Sequence, residues 1–283
     1  MIRFANRNDI SAIITLWSEA FGDSENEIRF FIDNKFEPEN TLIYEYCGEA
    51  ASMLFLLEGN MIIDGDEFPS YYLYAACTAK KCRGRGIMSE LLNAAKTIAA
   101  ERNKYFICLM PGNKSLFDFY ERFGYKTVFS RKILNVKLSE LTDYETFNEE
   151  SVGADYIDKR KNAFSNYNRF EWDNNSIEFA CKSHLLYNGI ELNNCNGYAL
   201  YSLKSSGLFV KEFAFSSKNL ISSLKKLFDE SGADKAEIYL PSDYLTQIGN
   251  FEIVDSAMAV SVKSEYDYLL SDLKGAYLGL TLD

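Results

Sequence analysis

The sequence is poor in histidine, proline and closely spaced cysteines. Its 283 residues include one histidine, His184, and four prolines, and no two of its six cysteines have CxxC spacing. A structural zinc site draws its ligands from closely spaced cysteines and histidines, so we expect no metal site. The cysteines are expected to be reduced free thiols; they lie at positions 47, 77, 82, 108, 181 and 195.

Long apolar runs are also missing. No segment approaches the roughly 18 consecutive apolar residues of a membrane span. The N-terminal residues 1–13 lack the apolar centre of a secretory signal. We therefore expect a cytoplasmic protein that is not inserted in a membrane.

Positive charge is scarce relative to negative charge. The 30 Lys and Arg residues face 41 Asp and Glu residues, which gives a formal net charge of −11. An acidic chain binds nucleic acid poorly, so a nucleic-acid partner is not expected. The negative charge would attract a cationic substrate or would serve solubility alone, and composition leaves both open. The oligomeric state cannot be read from the sequence.

The chain has enough apolar residues for a large core. Hydrophobic residues make up 47% of the sequence, with 19 Tyr and 21 Phe, which suits one large or two ordinary domains. Residues 1–138 show the order strand, two helices, three or four antiparallel strands, helix, strand, helix, strand. Within the first helix, the apolar positions up to Phe21 are expected to face inward.

The second half repeats this order in outline. The polar, acidic residues 139–151 are predicted to be a linker, and 152–283 a second domain with strands, one clear helix at 218–230 and further strands. The sequence thus predicts a mixed α/β fold of two tandem domains. Ser216, Ser217 and Lys218 stand where the first half carries a glycine-rich loop, so the repeat is expected to be degenerate.

Residues 71–110 carry the clearest chemical pattern. A predicted buried strand, Tyr71–Cys77, is followed by a basic loop with glycines at 84 and 86, and helical periodicity starts at Ile87. The first turn of a helix presents unpaired N–H groups and partial positive charge. Glycines without Cβ atoms allow a ligand to approach the main chain. The loop is therefore either a phosphate or diphosphate site or a basic surface turn.

Two common phosphate motifs do not fit this loop. A P-loop needs Gly-Lys-Ser/Thr after its glycines, but Ile87 and Met88 follow Gly86. A dinucleotide fingerprint needs a third Gly or Ala where Ser89 stands.

The segment Arg83–Met88 instead resembles the acyl-CoA-binding motif of the GNAT (Gcn5-related N-acetyltransferase) superfamily, Arg/Gln-x-x-Gly-x-Gly/Ala. Arg83 and Gly86 match it. Met88 departs from it, although a bulky residue at this position is similar to the Eis-like branch of the superfamily. Downstream, Asn113 and the segment 115–125 (SLFDFYERFGY) resemble the family's "N…FYEKxGF" pattern.

This resemblance implies a GNAT fold and transfer of an acetyl group from acetyl-CoA to a primary amine of a small or cationic acceptor. By the resemblance, the backbone at Ala76, Cys77 and Thr78 holds the pantetheine arm, and a backbone N–H near Cys77 binds the thioester oxygen. The cofactor-binding residues it implies for the diphosphate are Arg83, Gly84, Arg85, Gly86, Ile87 and Met88.

Three further residues receive roles from the resemblance. Asn113 would contact CoA, or it is a plain helix cap. Tyr120 matches the family's general acid, or it is one more core aromatic. Many GNAT proteins place a carboxylate base on the strand that here reads 71–74 without Asp or Glu. His184 is expected to be structural. The Eis-like resemblance makes Asp283 the candidate base or substrate anchor, although no third, sterol-carrier-like domain is evident.

Alternatives remain at the level of the sequence. The chain could be an acyl-CoA-binding regulatory module without turnover, or a Fem-like aminoacyl transferase. A group of aromatics either lines an acceptor pocket or fills the core: Phe30, Phe31, Tyr71, Tyr72 and Tyr74.

Overall fold

The computed structural model describes residues 1–141, 155–194 and 196–281. These residues form two compact units. Unit 1 comprises 1–61, 67–127 and 257–272, and unit 2 comprises the described residues of 62–66, 128–256 and 273–283. None of the described helices is long and apolar enough to cross a membrane.

Unit 1 is built on a mixed sheet covered by helices. Its elements are β1 (Ile2–Phe4), α1 (Ile10–Phe21), α2 (Glu25–Lys35), β2 (Thr41–Tyr46), β3 (Glu49–Ile63), β4 (Asp66–Thr78), α3 (Ile87–Glu101), β5 (Phe106–Leu109) and α4 (Lys114–Glu121), with the end of β12 (Asn250–Ser261) and α8 (Asp267–Ser271). The strand order is β1-β2-β3-β4-β5-β12. Strands β4 and β5 are parallel, whereas β12 runs antiparallel to β5.

The helices of unit 1 follow from local sequence. On α3 the residues Leu91, Leu92 and Ala95 are fully buried and belong to one core cluster with Leu54 of β3 and Ile107 of β5. This apolar stripe fixes α3 on the sheet. Because α3 follows β4 directly, packing α3 on the sheet also fixes the loop that joins them.

Unit 2 repeats the arrangement. Its elements are β6 (Lys126–Lys137), α5 (Tyr156–Phe164), β7 (Arg169–Trp172), α6 (Asn174–Leu186), β8 (Ile190–Asn194), β9 (Gly197–Lys204), β10 (Gly207–Phe215), α7 (Leu220–Ser231), β11 (Lys235–Pro241) and the first half of β12. The strand order is β6-β11-β10-β9-β8, with β10 and β11 parallel. As in unit 1, two helices precede three antiparallel strands, a helix and a parallel strand, so the fold is that of two tandem mixed α/β units.

The predicted linker at 139–151 would make the two units consecutive in the sequence. In the structure they are not consecutive. Strand β6 lies in the first half of the chain, but from Arg131 to Lys137 it pairs with β11 inside unit 2. Strand β12 lies in the second half, but from Met258 to Ser261 it pairs with β5 inside unit 1. Each unit therefore completes its sheet with a strand from the other half of the chain.

Several element boundaries differ from the predictions. Hydrophobic patterning predicts separate strands at 50–57 and 61–64, but the structure has one continuous strand, β3, with Glu58 and Asn60 on the same face. Glu58 pairs with Lys104, and Asn60 donates to Glu67 at 2.6 Å. The helix predicted from 218 begins at Leu220, after a 3₁₀ turn. No prediction covered the elements from α5 to β8, and most of the predicted linker lies outside the described residues.

His184 is structural, as expected. Its Nε2 atom lies 3.1 Å from the carbonyl oxygen of Ile190 and 3.0 Å from that of Tyr201. Burial lowers the pKa of the imidazole, so the neutral form is favoured. His184 therefore ties the end of α6 to β8 and β9.

The C-terminal segment is docked in unit 2 through residue 281. Ala276 and Tyr277 are bonded through their backbones to β6 and to residues 168–170, and Trp172 Nε1 donates to the Leu280 carbonyl at 2.8 Å. The Tyr277 hydroxyl donates to Glu212 at 3.3 Å. The apolar character of residues 275–283 predicts a docked segment, and as far as the structure describes these residues they are docked.

A buried ion cluster anchors this segment. Arg160 is fully buried, and its Nε donates to Glu212 at 2.9 Å and its Nη1 to Glu171 at 3.3 Å. Its Nη2 lies 3.4 Å from the Leu278 carbonyl oxygen. A charge without its partner at this depth is strongly unfavourable, so loss of one member of the cluster should destabilise unit 2.

We predict that Arg160→Met lowers the free energy of unfolding by about 3–5 kcal/mol, because Glu212 is then buried without its cation. Urea denaturation followed by circular dichroism measures this. The double variant Arg160→Met/Glu212→Leu removes both charges and should recover most of the loss. An equally unstable double variant would show that packing, and not charge, gives Arg160 its importance.

Candidate functional site

Strands β4 and β5 separate part of the way along their length. Their parallel pairing runs from Ser70 and Phe106 to Tyr72 and Cys108, whereas β4 continues to Thr78. Ala75 lies in this continuation with φ +46°, which is rare for a residue other than glycine. The positive φ bends β4 away from β5, so the sheet opens at the end of the strand that leads into the loop.

The loop after β4 brings the backbone to the start of α3 through two left-handed residues. Gly84 has φ +75° and Gly86 has φ +79°, and a Cβ atom on either would meet no atom within 4 Å. The main chain is therefore exposed at both glycines, and L residues would be strained there. Gly86 is also the N-cap residue of α3.

The N-terminus of α3 has no side-chain cap. In contrast, α2, α4, α5 and α6 are each capped by a side chain, and α1 and α7 continue from 3₁₀ turns. The first N–H groups of the 15-residue helix α3 thus keep their hydrogen-bonding capacity. With the macrodipole, they form a place for an anion.

A cleft of about 690 Å³ lies beside these groups. It is lined by nine of the ten predicted cofactor-binding residues and by the predicted general acid: Ala76, Cys77, Thr78, Arg83, Gly84, Gly86, Ile87, Met88, Asn113 and Tyr120. Arg85 is not in the lining. The fold therefore brings together residues that are as many as 44 positions apart in the sequence, from Ala76 to Tyr120.

Three of the four cations of this loop contact other groups of the protein, although Arg83 also lines the cleft. Arg83 Nε donates to the Thr78 carbonyl at 3.0 Å, and Lys81 pairs with Glu49 at 2.6 Å. Arg85 donates to the Tyr46 hydroxyl at 3.2 Å, and its guanidinium lies 5.4 Å from the centre of that ring. These contacts fix the loop's conformation, which sequence patterns did not reveal.

The end of β4 is held from the other side by Ser52. The Ser52 hydroxyl donates to the Cys77 carbonyl at 2.6 Å and lies 2.9 Å from the Thr78 hydroxyl. Since Arg83 occupies the Thr78 carbonyl, both acceptors at the end of the strand have protein partners. The arrangement keeps this part of β4 extended along the cleft wall.

Tyr120 lies on the cleft wall but is mostly covered. Its side chain is 8% exposed, and burial raises the pKa of the phenol to about 12. The phenol is therefore protonated at neutral pH and can act only as a proton donor.

The cleft also contains a thiol, that of Cys77. Burial raises the pKa of this thiol to about 12. Thiols react as thiolates, so Cys77 is poorly suited to act as a covalent nucleophile. The described residues include no group of three or more His, Cys, Asp or Glu placed to hold a metal ion.

Asn113 caps α4. Its Oδ1 accepts from the N–H of Leu116 at 3.3 Å and from the hydroxyl of Ser115 at 2.7 Å. The capping role is thus observed, and a contact with CoA stays a prediction. Asp283 lies outside the described residues.

The cleft includes residues that sequence reasoning did not assign to it: Ala20, Phe21, Cys82, Ser89, Gly112, Leu116 and Phe119. Phe21 was expected to face inward, but it is 49% exposed because it ends α1 at the edge of the cleft. The helical period alone could not separate it from core positions. None of the five aromatics considered for an acceptor pocket lines the cleft; Phe31, Tyr71 and Tyr72 are at most 3% exposed and fill the core.

The corresponding place in unit 2 is built differently. The turn between β10 and α7 is the 3₁₀ turn Ser217–Asn219, which contains no glycine. The Tyr244 hydroxyl donates to the carbonyl of Phe215, the last residue of β10, at 3.1 Å, and Tyr244 is 1% exposed. Tyr244 thus covers the end of β10 in unit 2. The equivalent strand in unit 1 is β4, whose end lines the cleft.

Comparison with known families identifies a domain in the part of the chain that carries the cleft. The model of the family described as "Acetyltransferase (GNAT) domain" matches residues 1–128. This match identifies a GNAT acetyltransferase domain in residues 1–128. The match covers every predicted site residue except Asp283, and a domain of this kind supports acyl transfer as the class of reaction.

Solved GNAT structures show the same fold over almost the whole chain. A GCN5-related N-acetyltransferase from Anabaena variabilis aligns with a TM-score of 0.77 at 13% identity, over 93% of this chain and 73% of its own. One from Kribbella flavida aligns at 0.73 with 14% identity, over 93% and 72%. Eis1 from Mycobacterium abscessus aligns at 0.69 with 16% identity, over 94% and 74%. No curated protein sequence matches this chain.

Proposed function

We propose that this GNAT protein transfers an acetyl group from acetyl-CoA to a primary amine of a small or cationic acceptor by direct attack. The observation that carries the proposal is the uncapped N-terminus of α3, which is entered through two left-handed glycines at the edge of the cleft. A phosphate-bearing cofactor suits such a helix start.

The residues of the cleft fit acetyl-CoA in two ways. The N–H groups from Arg83 to Met88 would hold the diphosphate, since no side chain among the described residues caps the start of α3. The extended backbone at Ala76, Cys77 and Thr78 would hold the pantetheine arm in the manner of an added strand. Acetyl-CoA supplies the activated acyl group when it is bound.

Tyr120 would donate the proton that the departing thiolate needs. Its phenol is protonated at neutral pH because burial raises its pKa. The inert Cys77 thiol favours direct transfer to the amine over an acyl-cysteine. A backbone N–H near Cys77 would stabilise the charge that develops on the thioester oxygen.

Removal of the proton from the acceptor ammonium is assigned to Asp283, by its side chain or its α-carboxylate. What supports this is the docking of the C-terminal segment as far as Leu280. The cytoplasmic location inferred from composition stays a prediction.

We predict that Gly86→Glu lowers acetyl-CoA affinity by about 100-fold or more in isothermal titration calorimetry. The new carboxylate would face the diphosphate, and like charges in contact cost several kcal/mol, with each 1.4 kcal/mol equal to tenfold. Gly232→Glu is the matched control, since Gly232 also has a positive φ (+67°) and open space but lies outside the cleft lining. Equal affinity in Gly86→Glu and the control would remove α3 as the binding site.

The reaction itself is tested with acetyl-CoA and a panel of primary amines, following thiol release with DTNB. We predict turnover with at least one amine, and a kcat that falls about 10²–10⁴-fold in Tyr120→Phe with unchanged acetyl-CoA affinity. Tyr268→Phe, at an exposed position outside the cleft, should retain full activity. Binding without turnover would favour a regulatory module, and no binding at all would favour an aminoacyl transferase.

The role of the chain end is tested by deleting Asp283 alone. A longer deletion, of residues 280–283, is unsuitable because it would also remove the hydrogen bond from Trp172 to the Leu280 carbonyl. We predict that kcat falls about 100-fold while acetyl-CoA affinity is retained, because the base is lost and the binding site is intact. Asp283→Asn keeps the α-carboxylate and so tells which carboxylate acts. Unchanged turnover after the deletion would exclude both.

A further inference from the structure

The hydroxyl of Tyr125 is buried without a hydrogen-bond partner. The side chain is 2% exposed, and among the described residues only Arg131 Nε is in the same situation. Buried polar groups are almost always bonded, and an unpaired one destabilises the fold. Phenylalanine would fill nearly the same space without this cost. The hydroxyl therefore needs a reason other than packing.

Tyr125 is fixed against Tyr120, the residue assigned as general acid. Its N–H donates to the Tyr120 carbonyl at 3.3 Å, across a turn that needs Gly124 at φ +82°. The two rings lie 5.5 Å apart between centroids, with their planes at 62°. Two short links, one through the backbone and one through the rings, hold the pair in a defined geometry.

The surroundings make Tyr125 a donor and not a base. Burial raises the pKa of Tyr125 well above its usual value, and the neighbouring Tyr120 and Cys108 raise it further. These two are the titratable groups that face it, Tyr120 from α4 and Cys108 from β5. The Cys108 thiol is itself neutral because burial raises its pKa. Tyr125 thus keeps its proton throughout the physiological range.

A hydrogen-bond donor beside Tyr120 would make the release of its proton less unfavourable. Burial raises the pKa of Tyr120 to about 12, and no hydrogen bond from the described residues offsets this effect. A thiol ordinarily has a pKa of about 8.5, so proton transfer from this phenol to a thiolate is unfavourable unless the phenolate is stabilised. A hydrogen bond to the phenolate would lower that cost.

We propose that Tyr125 is a positioning residue for Tyr120, whose hydroxyl donates a hydrogen bond to the Tyr120 oxygen when Tyr120 has given its proton to the CoA sulfur. In this step the O–H bond of Tyr120 breaks and an S–H bond forms. The electron pair stays on the Tyr120 oxygen, and Tyr125 keeps its own proton. Tyr120 then regains a proton from solvent. The inference rests on the proposed function.

The kinetic test uses Tyr125→Phe, Tyr120→Phe and the double variant of the full chain. Tyr125→Phe should lower kcat about tenfold, the effect of losing one hydrogen bond to a charged group, with unchanged acetyl-CoA affinity. In the Tyr120→Phe background it should have no further effect, because Tyr125 acts through Tyr120. An effect of the same size in both backgrounds would overturn the proposal.

A second readout needs no turnover. A fluorinated tyrosine at position 120, whose phenol is more acidic, brings the titration into the range in which the protein stays folded, and ¹⁹F NMR follows it. Its pKa should be about one unit higher in Tyr125→Phe, because the phenolate loses its donor. An unchanged pKa would overturn the proposal. If no amine is acetylated, this arm still tests Tyr125 while the proposed function fails on its own.

Stability separates this role from packing. Tyr125→Phe should be at least as stable as the wild type in urea denaturation, because the hydroxyl it removes has no partner in the resting protein. Tyr244→Phe is the control, since it removes a hydroxyl bonded to Phe215 and should lose stability. A clear loss of stability in Tyr125→Phe would show a resting-state partner for the hydroxyl and would overturn the proposal.

Discussion

The cleft depends on backbone groups that the sheet leaves unpaired. Strand β4 is paired with β5 only up to Tyr72, and α3 begins at Gly86 without a side-chain cap. Open backbone is unfavourable in a folded protein unless it is solvated or bound to a ligand. The molecule maintains it with a positive φ at Ala75, two left-handed glycines and the contacts of Ser52 and Arg83 with the end of β4. Strain of this kind persists only where the surrounding core imposes it, and here α3 is held by fully buried Leu91 and Leu92.

Comparison of the two units shows how few residues separate a cleft from a closed strand end. In both units a strand is followed by a helix and then by a second strand that is parallel to the first. Both units also contain a large apolar core. In unit 2 a 3₁₀ turn replaces the glycine loop, and Tyr244 covers the Phe215 carbonyl. The buried cluster around Arg160 and Glu212 has a structural role in unit 2, because it binds the C-terminal segment. Unit 1 thus carries the candidate site, whereas in unit 2 a side chain covers the corresponding strand end.

The sequence allowed the local features to be predicted, since those depend on neighbouring residues. The start of α3 at Ile87, the loop glycines and the cap at Asn113 follow from period and residue type. The exchange of β6 and β12 between the two halves of the chain could not be predicted in this way, because strand pairing is non-local and the repeat suggested consecutive domains. The half-exposed Phe21 was missed for a related reason, since exposure at a helix end depends on what the rest of the fold places beside it.

Side-chain chemistry at the cleft is set by burial more than by charge. The same burial raises the pKa of the Cys77 thiol and of the Tyr120 phenol to about 12. For the thiol the effect removes a competing nucleophile, whereas for the phenol it secures the proton and makes its release harder. An acid in such a place needs a group that stabilises its anion without adding charge to the cleft. Tyr125 is suited to this, because its hydroxyl is neutral, buried and uncommitted, and Gly124 fixes the turn that sets it beside Tyr120.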